Sequence, residues 1–599
     1  MTELQYPFDS AFLLKNRRKI RKQLLADGRD RIKKRIAVLG GSTTTDICSM
    51  LEIFLLDQGI QPLFYQSEYG QYWQDAMFPN DTLEQFKPDF IYIHTTTRNL
   101  TEYHLDMKQS AADCTAAADR EFSRFAMMWE RLRTTYGCAV IQNNFELPRY
   151  RMLGNSDVSD VHGMTNYVLE LNSRLNRYAQ EHKGFYVHDI LSLSACCGLD
   201  QWHSEAHWCL YKYAMAVEMI PAFAHNLAKI FKSLLGKNKK AFALDLDNTL
   251  WGGVIGDDGV SGIEIGQEGA QGQAYAAFQS YLKAHQSLGV LLTVCSKNEA
   301  ENARLGLEHP ENVLCPDDFR AIRANWEPKS GNIAEIAAEL TLLPESFVFV
   351  DDNPAERAIV RGQLPGVAVP ELEQVEEYIR VLDRNSYFEV TDFSEDDAAR
   401  DEMYRANAAR TQQAAQFENY TDYLLSLEMH AEISPFSELY LPRITQLTNK
   451  SNQFNLTTRR YTESEMREVL QSDRHIHLCG RLADRFGDNG IVALTIGEMQ
   501  GDRLEIQLWL MSCRVLKRDM ELAMLDTLVA YCRRAGIRTI HGVYLPTAKN
   551  GMVRELYATF GFKKLSESED GESHWELSVD GYSKQNHVID VKLGEEATV

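Results

Sequence analysis

The sequence predicts an α/β protein in three domains, two built on parallel sheets and the third an α+β domain on a mixed sheet. Three observations predict it. At about 150 residues per domain, the 599 residues exceed what one hydrophobic core organises. From Arg31 onward, short apolar runs alternate with amphipathic segments, the pattern of βαβ units. Beyond Thr421 the order changes to strand, turn and strand before a helix. Boundaries are expected at the short basic segment LGKNKK (Leu235 to Lys240) and in the acidic stretch after Pro365, dividing the chain into 1–236, 237–385 and 386–599.

Composition narrows the function classes. A formal charge of −22 argues against non-specific binding to nucleic acid or to an anionic membrane, since both attract basic surface. Eleven cysteines are scattered without Cys-x-x-Cys spacing, and the N-terminus lacks the apolar core of a signal peptide, so reduced thiols in the cytoplasm are expected. No window approaches about 18 uninterrupted apolar residues, so no transmembrane helix is expected.

In the first domain the strand runs are Ile36 to Leu39, PLFYQ near Leu63, DFIYIH around Tyr92, Cys138 to Asn144 and Gly184 to Ile190. Between the third and fourth lies a long helix, Ala111 to Tyr136, whose stripe of Phe122, Phe125, Met128 and Trp129 reads as core packing. The first strand empties into GGSTTTDI with Ser42 at its end, and DQWH (Asp200 to His203) follows late in the domain. This pairing resembles the SGNH hydrolases, a flavodoxin-like fold in which the His activates the Ser and the Asp orients the His. His207 competes with His203 for the base, and Asn99 is the candidate oxyanion Asn. The other reading is a docking domain without chemistry, in which Ser42 caps the next helix and the histidines are ordinary. A helix pattern from Ala216 to Leu235 closes the domain.

The second domain starts from AFALDLDNTLWGG (Ala241 to Gly253), an apolar run ending in Asp245 and Asp247. Two acids at a strand end are crowded anions unless a cation sits between them. The next strand, LGVLLTVCSKN, ends at Ser296, and a third, SFVFVDDNP, ends at Asp351 and Asp352, while WEPKSGNI places Lys329 in a loop before a helix. Each polar cluster falls at the carboxyl end of a buried strand, so one sheet edge gathers them. The ordered set resembles the haloacid dehalogenase (HAD) superfamily. That resemblance implies Asp245 as the phosphoryl-accepting nucleophile, Asp247 as general acid and base, and Ser296 and Lys329 on the phosphoryl oxygens. It also implies Mg2+ on Asp245, Asp351, Asp352 and the Asp247 carbonyl. The gap after the first motif holds one helix pattern, Gln271 to Leu288, and neither gap has room for a large cap, so the site is expected to be open.

The third domain follows a helix, Ala406 to Ala415. Its marks are ITQLTNKSNQFNLTTRRY (Ile444 to Tyr461), a turn entering a strand at Asp484 to Val492, and a strand passing into a helix, Leu504 to Leu525. The last resembles the pyrophosphate loop of the GNAT acyltransferases, Arg-x-x-Gly-x-Gly before a helix, whose backbone N–H groups grip coenzyme A. Arg514 is in place, while Lys517 and Asp519 occupy the glycine positions. Asn550 and Tyr557 stand where that fold carries its closing helix and a general acid; the other reading makes Tyr557 core.

Together, LDLDNTLWGGVIGDDG, VCSKN, DDNPAER, NKSNQFNLTTRR, DRFGDNG and MSCRV resemble the FkbH family, HAD proteins with a GNAT-like C-terminal domain and, in longer members, an SGNH-like N-terminal region. The resemblance implies transfer of a phosphoglyceryl group from 1,3-bisphosphoglycerate, removal of its phosphate and delivery of glyceryl to the phosphopantetheine thiol of an acyl carrier protein. An enzyme thiol would assist, with Cys295 beside the phosphoryl site ahead of Cys513. Two alternatives stay open: a phosphatase alone, serving polysaccharide or secondary-metabolite synthesis, and a scaffold that docks carrier proteins.

Overall fold

The apolar runs of the first domain form a five-stranded, all-parallel sheet in a computed structural model that describes residues 1–414 and 416–594. Its strands are β1 (Ile32–Gly40), β2 (Ile60–Gln66), β3 (Phe90–His94), β4 (Ala139–Asn143) and β5 (Phe185–His188), in the order β2-β1-β3-β4-β5. Alternation along β1 sends Ile36 and Val38 into one apolar cluster and Ala37 and Leu39 into another, so both faces are buried. Helices Thr45–Asp57 and Ile220–Leu234 cover the first face; Ala111–Tyr136 and Met164–Glu181 cover the second. Ala111–Tyr136 has the predicted bounds because Ser110 and Asp113 make a reciprocal cap at its start and Gly137, at φ 60°, ends it.

A second all-parallel sheet follows, with β6 (Ala241–Leu244), β7 (Leu291–Ser296), β8 (Phe319–Ala324) and β9 (Phe347–Val350) in the order β8-β7-β6-β9. Strand β8 was not expected. It lies at the sheet edge, buries Phe319 and Ala321, and is interrupted by Arg320 and Arg323, so it shows no continuous apolar run. Between β6 and β7 stand the short helix Ile255–Asp258, bridges from Asp247 to Trp251 and from Gly252 to Glu264, and the helix Ala270–Ser287.

The third sheet is mixed. Its described strands are β10 (Met429–Pro435), β11 (His475–Asp484), β12 (Gly487–Gln500), β13 (Arg503–Met511), β14 (Thr539–Tyr544), β15 (Lys563–Glu567), β16 (Ser573–Ser578) and β17 (Ile589–Leu593). They run in the order β15-β16-β14-β13-β12-β11-β10-β17, with β13–β14 and β10–β17 the parallel pairs. Helix Met520–Arg534 packs on one face and Leu441–Lys450 on the other. The helix expected at Ala406 to Ala415 is longer, Arg400–Ala414, and Ala415 lies outside the described residues.

The chain divides into two compact units: Met1–Lys237 with Glu389–Thr391, and Asn238–Phe388 with Asp392–Val599. Within the second unit, the mixed-sheet domain meets the N-terminal ends of the second sheet. Arg400 donates to the Gly289 carbonyl ahead of β7 (3.1 Å), Arg320 in β8 pairs with Asp401 (3.0 Å), and Lys549 pairs with Glu345 ahead of β9. Tyr404 joins the apolar cluster of Ala241, Ala243, Leu291 and Phe347. No described helix is long and apolar enough to cross a membrane.

Candidate active site

Register builds the site. Leu244 pairs with Val350 across the parallel β6–β9 ladder, so the residues that follow, Asp245 and Asp351, emerge side by side at the carboxyl edge. The Asp245 N–H still donates to the Val350 carbonyl (2.9 Å), fixing the depth at which the first carboxylate leaves the strand. Lys329, the first residue of helix Lys329–Glu339, reaches between them: its Nζ lies 2.9 Å from Asp245 Oδ2 and 2.6 Å from Asp351 Oδ2. One carboxylate oxygen from each of Asp245, Asp351 and Asp352 falls within 4.8 Å of the others.

The electrostatics show too many anions for one lysine. Burial and then the Asp245 charge push the Asp351 carboxyl up, to about 6, against the pull of Lys329. Asp352 is raised for the same two reasons. Burial works against the Lys329 charge, yet Asp245 and Asp351 outweigh it and hold the ammonium protonated. Three convergent carboxylates on one edge, two of them buried, are a hard-oxygen donor set of the kind that takes a divalent cation.

Asp247 stands apart from that cluster, held at both oxygens. Oδ1 accepts from Trp251 Nε1 (2.9 Å) and the Ile255 N–H (3.2 Å), and Oδ2 accepts from Asn298 Nδ2 (3.0 Å). Burial raises its carboxyl above the ordinary range, which suits a group that gives up a proton and takes one back. The turn after Trp251 needs Gly253 because its backbone sits at φ 90°, where a side chain is strained. Ser296 ends β7 at the same edge, and Arg357 Nη1 donates to the carbonyls of Asp351 (2.8 Å) and Asp352 (2.7 Å).

Asn298, Trp251 and Arg357 are functional supports that the sequence reading left without roles. Each lies inside a quoted motif, but an amide, an indole and a guanidinium say nothing by type about which carboxylate they hold. Thr249 belongs with them, its Oγ1 accepting from the Asp352 N–H (3.2 Å).

Cys295 is corrected. It precedes Ser296 on a strand, so it faces the other side of the sheet, fully buried beside Ala243 and Phe349, with its thiol donating to the Lys329 carbonyl (3.4 Å). Burial pushes that thiol far above its ordinary range. It is not an accessible nucleophile. The other cysteine, Cys513, is half-buried in the turn after β13.

The Ser-His-Asp arrangement of the first unit does not assemble either. Ser42 is buried and its hydroxyl has no hydrogen-bond partner among the described residues. Nor does it cap the next helix, whose N-cap is Thr44. His203 Nε2 pairs with the Leu147 carbonyl (3.3 Å), the exposed Asp200 pairs with Arg149 (3.4 Å), and His207 Nδ1 accepts from the Val217 N–H (3.2 Å). Asn99 is taken up by the Gly41 carbonyl (3.1 Å) and the Thr96 N–H (2.9 Å).

In the mixed-sheet domain, Arg514 lies against Met403 Sδ (2.6 Å). Asn550 and Tyr557 are corrected as ligand-facing residues. Asn550 is buried, donating to the Asn455 and Leu545 carbonyls (both 2.9 Å) and accepting from the Thr547 N–H (2.7 Å). Tyr557 is buried in the apolar core against Phe562 and Trp575.

No curated protein matches the chain. Several short likenesses to solved structures fall on about a quarter of it. The GNAT domain of S. lividans PAT is 16% identical, covering 24% of this chain and 89% of that one with a TM-score of 0.21. An acetyltransferase from Thermus thermophilus is 12% identical, covering 25% and 97% with a TM-score of 0.20. The N-terminal part of a Bacteroides fragilis protein, containing a phosphatase domain and complexed with Mg, is 29% identical, covering 63% of this chain and 99% of that chain with a TM-score of 0.58. Residues 35–232 match the family described as FkbH, N-terminal domain, so the chain is similar to FkbH proteins at its N-terminus and to a phosphatase-bearing structure over most of its length.

Proposed function

We propose that this chain is a HAD-type, magnesium-dependent phosphatase that works through an aspartyl-phosphate. The observation that carries the reading is the Lys329 ammonium seated between Asp245 and Asp351, with Asp352 completing the carboxylate cluster and Asp247 held separately. Mg2+, which the Bacteroides fragilis relative holds, fits Asp245, Asp351 and Asp352 here and would supply positive charge for the phosphoryl oxygens. The Asp245 carboxylate attacks phosphorus, and the bond from phosphorus to the leaving oxygen breaks as Asp247 protonates that oxygen. Water then attacks the aspartyl-phosphate, Asp247 takes its proton, and phosphate leaves with Asp245 restored. Lys329 offsets negative charge throughout, and the Ser296 hydroxyl donates to a phosphoryl oxygen.

The finer reading is that the substrate is the phosphoglyceryl group of 1,3-bisphosphoglycerate and the acceptor an acyl carrier protein. The FkbH match and the absence of a cap-sized insertion between β6 and β7 support it, since an uncapped edge admits a carrier-bound group. With Cys295 enclosed, the carrier's own thiolate attacks the acyl-phosphate carbonyl, the carbonyl–oxygen bond breaks and phosphate departs. Asp245 removes the remaining phosphate ester.

The experiment combines protein, magnesium, 1,3-bisphosphoglycerate and a phosphopantetheinylated carrier, and weighs the carrier. A glyceryl increment that disappears with Asp245→Asn supports the full reading. Phosphate release without an adduct leaves the phosphatase alone, and neither product leaves a docking scaffold. Lys329→Met is expected to slow phosphate release by about 10²–10³-fold, in line with the loss of one charge-stabilising donor.

A further inference from the structure

The third sheet contains a gap that its own chain fills. β13 and β14 pair over three residues only, Arg503–Glu505 with Thr539–His541, although β13 runs on to Met511 and β14 to Tyr544. Parallel strands that part leave facing rows of N–H and C=O groups that must find partners. An extended chain bearing amides completes such an edge by main-chain hydrogen bonds. The pantetheine arm of coenzyme A, the cofactor that the GNAT resemblance implies, has that chemistry.

Here Phe454–Leu456 stands in the gap. The Leu456 N–H donates to the Trp509 carbonyl (3.0 Å) and the Met511 N–H to the Phe454 carbonyl (3.0 Å), with Asn455 and Leu510 bridged antiparallel. On the other side, the Leu545 N–H donates to the Leu456 carbonyl (2.9 Å) and Asn550 Nδ2 to the Asn455 carbonyl (2.9 Å). Thr457 Oγ1 closes the lower end on the Gln507 carbonyl (2.8 Å). Phe454, Asn455 and Leu456 are 5%, 0% and 0% exposed.

The phosphate end is equally unsuited. Lys517 and Asp519 keep left-handed backbone, at φ 63° and 58°, but bring side chains where a pyrophosphate needs bare N–H groups. Helix Met520–Arg534 opens with Asp519 and Glu521, and Glu521 Oε2 is buried with no partner among the described residues. Two carboxyl groups thus occupy the helix end whose dipole would otherwise favour an anion. Tyr420 donates its hydroxyl to the Lys517 carbonyl and covers the loop.

We infer that the mixed-sheet domain does not bind coenzyme A: residues 454–456 are the built-in occupant of the β13–β14 gap and tie the two strand ends together. The inference stands whatever the phosphoryl site does. It leaves any acyl transfer to a thiol that approaches from outside this domain.

Calorimetric titration of the full chain with coenzyme A and with acetyl-coenzyme A, to about 1 mM, tests it. Hydrogen exchange at the amides of Leu456, Met511 and Leu545 is followed in parallel. The expected result is no saturable heat and slow exchange at all three amides, unchanged by ligand. Saturable binding, or a ligand-dependent change at those amides, overturns the inference. A double variant, Lys517→Gly with Asp519→Gly, restores the glycine loop and is expected still to bind nothing, because the gap stays filled. Binding by that variant would show that residues 454–456 yield to the cofactor and would equally overturn the proposal.

Discussion

Asp351 shows how a site can be legible by residue type and still depend on neighbours for its behaviour. Its carboxyl is held at about 6, above the ordinary 3.8, by burial and by Asp245. A group whose folded pKa exceeds its unfolded one keeps its proton longer in the folded chain, so its ionisation costs stability as pH rises from about 4 through about 6 and the full cost stands above that. A cation bound by these carboxylates removes the cost. Magnesium is therefore expected to raise the melting temperature more at about pH 7.5 than at about pH 5, where part of the site is protonated. An equal shift at both values in scanning fluorimetry would contradict the crowded-carboxylate account. Asp245, Asp247, Ser296, Asp351 and Asp352 were readable as polar residues at strand ends, and Lys329 as a lysine before a helix, in a fixed order. The enclosure of Cys295, the favoured thiol by sequence, was not read, because it takes the packing of Ala243 and Phe349 and the Lys329 carbonyl around the strand to show it. What could not be read is that Trp251 and Asn298 hold Asp247, since that follows from how the loops after β6 and β7 meet.

Among the elements, helix Arg400–Ala414 owes its place to a buried charge network. Arg410 donates to both oxygens of Asp484 (2.9 and 2.6 Å), Arg518 reaches the same carboxylate (3.2 Å), and Asn407 accepts from Arg518 (2.6 Å). The Asp484 side chain is wholly buried, so removing Arg410 takes away its two-pronged partner and leaves the charge to Arg518 alone. Arg410→Ala is expected to destabilise the second unit by about 3–5 kcal/mol in chemical denaturation, whereas an exposed pair such as Arg304–Glu308 should be nearly silent. The motifs DRFGDNG and LKRD thus contribute structural anchors. Strand β8 and the Phe454–Leu456 insertion escaped the sequence for a related reason. An edge strand needs no apolar run, and a three-residue backbone complement has no side-chain period at all.

At the scale of the molecule, parallel sheets impose the functional geography. The carboxylates occupy the C-terminal edge of the second sheet, and the mixed-sheet domain grips the N-terminal edge through Arg400, Arg320 and Lys549. That domain therefore backs the phosphoryl site and does not cap it. Because the chain forms two compact units, calorimetry is expected to resolve two transitions, of which magnesium raises only the one belonging to residues 238–388 and 392–594. A magnesium shift of both transitions together would mean that the units melt as one.

Sequence by itself determined the class of each sheet, the positions at which buried strands turn polar, and the residue types at those positions, because burial and strand period are written locally. Tertiary structure decided which of those residues meet. It set Lys329 between two carboxylates through the register of β6 with β9, turned Cys295 inward, and left Ser42, Asp200 and His203 unconnected. It also placed residues 454–456 in a gap between distant strands. Hydrogen bonds and ion pairs between segments far apart in the chain follow from how elements pack, and no local pattern encodes that.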